Sequence, residues 1–377
     1  MNFTKIITLI LIGVVIFLVA TSYFSTDKLG LDGLADKTVD KLDNTYESVT
    51  DGNFVNGTLN SYDSIKSRVL YGSSDRNISS QVYFCPEDNC LDELITLIDS
   101  SKKTIDCAVY DLSLQTVTDS LILKSQEGLK VRFVSDYGRL QAKESMIGVL
   151  KDSNVSVITN DSESSYMHNK FCVFDEKIVW VGSMNFTLNG NYKNNNNVIV
   201  FQDKELAKDY TKKIDSFFNG IFSPELINSI DIKTFGNVES YFCPEDNCLY
   251  HLLDIIDDAN YSLECMYFSF TLNEFFDIIK NKKIDQKYIL EKRNINTYSQ
   301  YNNFINNNIP VILDKNPNSM HNKFCVIDNS IIITGSMNLS NNGVSNNDES
   351  LVIVYDKDVA NKYSTYFNKY WNLWYLN

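Results

Sequence analysis

The chain has 377 residues, enough for two ordinary domains or one large duplicated unit. With 44% hydrophobic and 22% charged residues and only five prolines, it is excluded from the disordered and low-complexity classes. Its 34 basic against 48 acidic residues give a net charge of −14, which disfavours nucleic acid as the main partner, although a basic cleft on an acidic body is compatible with it.

In chain order, the first feature is an apolar run. Residues 6–20 carry no charge and the uncharged stretch continues to Thr26, about 20 residues in all, enough to cross a hydrocarbon core as a helix. Residues 1–27 are therefore expected to form an N-terminal transmembrane helix that anchors the chain in a membrane. A cleaved signal segment is the alternative, disfavoured by the lack of a clean A-x-A site, and cleavage would make the protein secreted. Lys5 ahead of the run favours an inside N-terminus and an extracytoplasmic body. Residues 28–80 are polar, without a sustained apolar period, and read as a linker.

From there the sequence repeats itself. YFCPEDNC at 83–90 recurs identically at 241–248, MHNKFCV at 167–173 recurs at 320–326, and GSMN at 182–185 recurs at 335–338. The expected units are one repeat over residues 81–225 and a second over 236–377. Within a copy, residues 91–101 have helical apolar spacing, and 104–112 alternate like a strand. Residues 129–134 and 155–158 read as strands, and 170–174 with 178–181 as a pair around a turn at Asp175-Glu176, before a final helix. Strands alternating with helices predict an α/β fold, with the two copies packed about a pseudo-two-fold axis as a bilobed unit.

The chain has three histidines, and two of them, His168 and His321, occupy equivalent places in the copies. In HNKFCVFD and HNKFCVID the histidine and lysine are two residues apart, so on a strand the imidazole and the ammonium of Lys170 or Lys323 share a face. Such a set suits phosphoryl transfer. Two lysines and two asparagines, Asn185 and Asn338, can bind the non-bridging oxygens. One imidazole can attack phosphorus while the other protonates the leaving oxygen.

H-x-K-x4-D followed by G-S-x-N, present twice, resembles the phospholipase D superfamily from about residue 81 to the C-terminus. The resemblance implies a two-lobed α/β fold with the site between the lobes. It also implies a phosphohistidine intermediate resolved by water or an alcohol, with no metal and no cofactor. The site it implies comprises His168, Lys170 and Asn185 with His321, Lys323 and Asn338, supported by Ser183 and Ser336 of the two GSMN blocks. Asp175 and Asp328 are expected to brace the motif turns rather than touch phosphate. A phospholipid is the expected substrate, with a nucleic-acid phosphodiester or transfer of the cardiolipin synthase type as alternatives, and a monomer is expected to be catalytically complete.

Members of the superfamily often carry a carboxylate about 28 residues after the motif histidine. Here Glu349 stands at that place in the second copy and the amide Asn196 in the first. Pairing each histidine with the residue of its own copy predicts imidazolium on His321 beside Glu349, and His168 beside Asn196 as nucleophile. The eight cysteines fall into repeat-matched pairs. Cys85–Cys90 and Cys243–Cys248 can close short disulfide loops if the body lies outside the cytoplasm. Cys107, Cys172, Cys265 and Cys325 read as small buried core residues, and His251 as a surface helix residue.

Overall fold

The computed structural model describes residues 76–161, 164–226 and 230–375. The expected membrane anchor at 1–27 and nearly all of the polar segment 28–80 lie outside the described residues. Among these, no helix is long and apolar enough to cross a membrane.

The first copy runs β1 (Ser79–Cys85), α1 (Cys90–Ser100), β2 (Thr104–Val109), α2 (Gln115–Gln126), β3 (Lys130–Ser135), α3 (Tyr137–Leu140), α4 (Ile147–Lys151) and β4 (Ser156–Thr159). It continues through β5 (Lys170–Phe174), β6 (Ile178–Gly182), α5 (Leu188–Tyr192), β7 (Asn196–Gln202) and α6 (Lys204–Phe218). The second begins with a short added strand β8 (Thr234–Phe235), then β9 (Val238–Cys243), α7 (Cys248–Asp257), β10 (Ser262–Tyr267), α8 (Asn273–Ile279) and β11 (Asp285–Leu290). After a 3-10 turn at Lys292–Asn294 come α9 (Tyr301–Asn306), β12 (Val311–Leu313), β13 (Lys323–Ile327), β14 (Ile331–Gly335), α10 (Asn341–Ser345), β15 (Glu349–Tyr355) and α11 (Lys357–Tyr375).

Each copy builds one mixed sheet, and the two sheets have the same strand order. The first is β1-β7-β6-β5-β2-β3-β4 and the second β12-β11-β10-β13-β14-β15-β9-β8. In both, the three strands at one end are parallel and the rest antiparallel. The hairpins β5–β6 and β13–β14 turn on Asp175-Glu176 and Asp328-Asn329, all four at positive φ, the backbone that tight hairpins require and that Asp and Asn tolerate. Asp175 then accepts from the N–H groups of Lys102, Lys103 and Thr104 at 2.7–3.1 Å, and Asp328 from those of Asn260, Tyr261 and Ser262. The two motif aspartates therefore tie the hairpin turn to the start of the neighbouring strand.

Strand alternation sends β5 into two cores. Phe171 and Val173 face a core common to both copies, and Cys172 and Phe174 face the helices α1 and α2. The common core is completed by α6, which buries Leu206, Ala207, Tyr210, Ile214 and Phe217 along one stripe, and by α11, which buries Tyr363, Tyr366 and Phe367. The aromatic C-terminal helix is thus core structure. Tyr366 stacks on Phe84 with ring centroids 4.0 Å apart, joining α11 to β1.

Two expectations change here. Cys107, Cys172, Cys265 and Cys325 are not free core thiols: Cys107 pairs with Cys172 and Cys265 with Cys325 in disulfides, alongside Cys85–Cys90 and Cys243–Cys248, so no cysteine is free. The reason is register, because β2 places Cys107 directly opposite Cys172, and β10 places Cys265 opposite Cys325. Such pairing joins residues 65 apart in sequence in the first copy. The double substitution Cys107→Ser with Cys172→Ser should therefore lower stability by about 2–4 kcal/mol, read as a drop in the urea midpoint. An unchanged midpoint would show that the bridge adds nothing to the fold. His251 is 3% exposed rather than on the surface, since it falls on the buried stripe of α7 and stacks on Tyr241 at 3.7 Å.

Candidate active site

The motif strands end at the pseudo-two-fold, and short bridges carry each copy into the other. His168 N donates to Asp348 O at 2.9 Å, and His321 N to Asn195 O at 2.8 Å. Asp348 and Asn195 immediately precede β15 and β7, so the first residue of each of these strands is delivered to the histidine of the opposite copy.

The consequence reverses the expected pairing. Glu349 Oε1 lies 2.7 Å from His168 Nδ1, and Asn196 Oδ1 lies 2.9 Å from His321 Nδ1. The carboxylate of the second copy serves the histidine of the first, and the amide of the first serves that of the second. Both partners are held from behind by the GSMN serines. Ser336 Oγ donates to Glu349 Oε2 at 2.6 Å, and Ser183 Oγ to Asn196 Oδ1 at 2.9 Å. Asn196 Nδ2 donates to Gly190 O at 2.9 Å, which turns its oxygen towards the imidazole. The preceding glycine permits this approach: a Cβ on Gly335 would lie 2.1 Å from Ser350 O, and its φ of +129° is one that side chains rarely adopt.

Lys170 and Lys323 are fully buried beside their histidines. Lys170 Nζ donates to His168 O at 2.6 Å, and Lys323 Nζ lies 3.1 Å from His321 Nε2. Asn185 and Asn338 are half-buried in the loops after β6 and β14, and the Oδ1 of each has no hydrogen-bond partner. The bridges thus bring His168 and Lys170 together with Glu349 and Ser336, and His321 and Lys323 with Asn196 and Ser183, close enough for both lysines to act on both imidazoles. Asp175 and Asp328 sit at the far ends of the hairpins.

Two aromatic residues were not singled out in the sequence. Tyr110 packs edge-on against His168 at 5.0 Å and lies under Lys170, and Phe268 does the same for His321 at 4.6 Å and Lys323. They occupy equivalent places in the two copies, directly after β2 and β10, which is the signal that would have found them.

Burial opposes every charge in this cluster. It pushes both imidazoles well below their usual range, and the two lysines push the same way. It brings Lys170 down to about 7 against the pull of Glu349, Asp111 and Asp136, and lowers Lys323 well below its ordinary value. Glu349 is pushed up to about 7 by the same desolvation, against the attraction of the lysines. A bound anion would supply the missing counter-charge, raise the lysine and histidine pKa values, and draw protons in. Affinity for tungstate should therefore fall as pH rises above about 7, with net proton uptake measurable by calorimetry in buffers of different ionisation enthalpy. Binding without proton uptake at pH 7.5–8 would contradict this charge balance.

A family model described as "Cardiolipin synthase, PLD-like domain" matches the chain twice, at residues 94–218 and 252–371. A mitochondrial cardiolipin hydrolase of Xenopus tropicalis is 28% identical over 134 residues, covering 35% of this chain and 63% of that protein. A phospholipase D of Rickettsia prowazekii (strain Madrid E) is 32% identical over 127 residues, covering 34% of this chain and 62% of that protein. The chain thus spans less than two thirds of the length of these relatives. The crystal structure of a phosphatidylserine synthase from Haemophilus influenzae Rd KW20 superposes with a TM-score of 0.56 at 14% identity, over 78% of this chain and 87% of that one. That likeness establishes a common fold.

Proposed function

From the premise that this chain belongs to the phospholipase D-like family of the cardiolipin synthase type, matched in both of its copies, we propose that it hydrolyses phosphodiesters through a phosphohistidine, with a phospholipid as substrate. The observation that carries the proposal is the crossed pairing of Glu349 with His168 and Asn196 with His321. It makes the two imidazoles unequal while both serve one place.

Glu349 accepts from Nδ1–H of His168, which leaves the lone pair on Nε2 free to attack phosphorus. As the N–P bond forms and the bond to the leaving oxygen breaks, the imidazole becomes cationic, and the adjacent carboxylate offsets that charge. His168 is therefore the nucleophile. This is the role expected from the sequence, but for the opposite electrostatic reason. His321, held at Nδ1 by a neutral amide, donates its Nε2 proton to the departing alkoxide and is a stronger acid than a carboxylate-paired imidazole. In the second step it accepts a proton from water as the water oxygen attacks phosphorus and the N–P bond breaks. Lys323 donates towards His321 Nε2; a phosphate oxygen offers that ammonium a stronger acceptor and frees the nitrogen for protonation. Lys170, Lys323, Asn185 and Asn338 hold the non-bridging oxygens, and the two ammonium charges with the two amide donors take the place that a metal ion fills in other phosphodiesterases.

Both halves of the site come from one chain, which supports a catalytically complete monomer. Four disulfides support maturation of the body in an oxidising compartment, and the apolar run at 6–20 supports attachment to a membrane surface, where lipid headgroups lie. Headgroup release from phospholipid vesicles by the purified chain in EDTA tests the proposal. Release abolished by His168→Ala and by His321→Ala supports it. Cleavage of oligonucleotides with no action on lipid would overturn the substrate assignment, and products carrying an added alcohol in place of water would make the enzyme a transferase.

A further inference from the structure

A buried ion network lies behind the His168 half of the site and takes no part in the proposed chemistry. Lys213 on α6 and Asp348 ahead of β15 are buried, and Lys213 Nζ donates to Asp348 Oδ1 at 3.1 Å and also to Glu245 Oε1. The rings of Phe217 and Phe242 cover the ammonium. Burial opposes that charge, but the two carboxylates hold Lys213 above its ordinary range, so it stays protonated. Asp348 is gripped further by the segment after α6: Ser223 N donates to both of its carboxylate oxygens at 3.0 Å, and Ser223 Oγ to Oδ2 at 3.2 Å. Its backbone is fixed as well, since its N donates to Tyr166 O and its O accepts from His168 N, both at 2.9 Å. The next residue is Glu349.

The His321 half supplies an internal comparison. The final helices match through Ala207, Tyr210 and Lys213 with Ala360, Tyr363 and Tyr366, and Asn195 stands at the place of Asp348. Tyr366 OH accepts from Asn195 Nδ2 at 3.1 Å, and Asn195 Oδ1 from Asn316 Nδ2 at 2.6 Å. The last helix of each copy therefore grips, on the opposite copy, the residue just ahead of its own histidine's partner. That grip is an ion pair on the His168 side and a neutral hydrogen bond on the His321 side. A charge-assisted hydrogen bond is roughly twice as strong as a neutral one, and a buried ion pair is better suited to fixing one arrangement than to adding stability.

We propose that Lys213 and Asp348 are positioning residues for the nucleophile: their ion pair fixes the crossing of β15, so that Glu349 stays on Nδ1 of His168 as charge grows on the imidazole. Neither touches the reacting atoms, and the proposal rests on the nucleophilic role given to His168. Glu349 meets that imidazole at 2.7 Å, and a shift of Asp348 carries Glu349 with it and lengthens the bond. Ser336 also holds Glu349, but it follows β14 in the same sheet and moves with β15. Lys213 instead ties β15 to the copy that carries His168.

The test is Asp348→Asn in the full chain, which installs the residue of the first copy and leaves Lys213 paired with Glu245, one charge against one. We expect headgroup release to lose about tenfold in kcat with KM unchanged, because the reacting geometry loosens while the phosphate site stays intact. In a Glu349→Gln background the same substitution should cost nothing more, since the two act through one contact. The chain has three histidines, so 15N labelling of the imidazoles reads that contact in the resting enzyme. The Nδ1–H signal that shifts in Glu349→Gln should broaden by exchange with water in Asp348→Asn, while that of His321 stays sharp. Ser223→Ala removes one of the bonds to Asp348; it should move both readouts the same way by less, and it carries the test if Asp348→Asn does not fold. Unaltered kcat and an unaltered His168 signal, whether or not the melting temperature falls, would overturn the proposal. So would an equal loss of kcat in the Glu349→Gln background. A parent chain without phosphodiesterase activity overturns the proposed function instead, and the His168 signal still decides the positioning.

Discussion

His168→Ala is expected to lower kcat for headgroup release by about 10⁴-fold or more, and His321→Ala by about 10²–10⁴-fold. The two losses differ in kind. Removing the nucleophile leaves only binding and the lysine electrostatics, whereas removing a general acid costs the proton transfer alone. Truncating His168 also strips buried Glu349 of a partner, so some loss of stability accompanies the loss of activity. His168→Asn, whose amide can still donate to the carboxylate, separates the two effects. It should restore the melting temperature towards that of the parent while activity stays lost. Recovery of activity along with stability would show that the imidazole acts only structurally.

Glu349→Gln carries the second largest expected effect, a fall in kcat of about 10²–10³-fold with little change in KM. The carboxylate faces a charge that grows as the N–P bond forms, and a preorganised group of that kind typically contributes on this scale. The converse change, Asn196→Asp, adds a carboxylate beside His321 and raises its pKa. Because the acid must be protonated, the alkaline limb of the kcat–pH profile should move to higher pH. A Glu349→Gln enzyme with unaltered kcat, or an Asn196→Asp profile that moves down in pH, would contradict the crossed arrangement.

The duplication made much of this legible. Identical YFCPEDNC, MHNKFCV and GSMN blocks marked the two copies, alternation marked the strand in 104–112, and short β-rich runs around a turn marked the motif hairpin at 170–181. The strands β1 and β7 were not foreseen. Val198 to Phe201 is a continuous apolar run buried on both faces, without the alternation that identifies a half-exposed strand. That omission mattered, because β7 and β15 are the strands whose first residues cross the pseudo-two-fold. The spacing from histidine to Asn196 or Glu349 is the same in both copies, so sequence identified the partners but not which histidine each one meets. That choice is made by the bridges Met167–Asp348 and Asn195–Met320, contacts between segments far apart in sequence. The disulfides Cys107–Cys172 and Cys265–Cys325 escaped for a related reason, since only strand register brings those residues opposite one another.

The division of labour between two copies of one motif is tested most directly by varying the leaving group. A p-nitrophenolate departs without protonation, so the first turnover of phosphatidyl-p-nitrophenol needs the nucleophile but not the acid. In rapid mixing, His321→Ala should still release about one equivalent of p-nitrophenol per enzyme and then stall, its phosphoenzyme lacking the base that activates water. His168→Ala should give no burst. A burst retained in His168→Ala and lost in His321→Ala would reverse the roles, and its loss in both would contradict a division of labour between the two imidazoles.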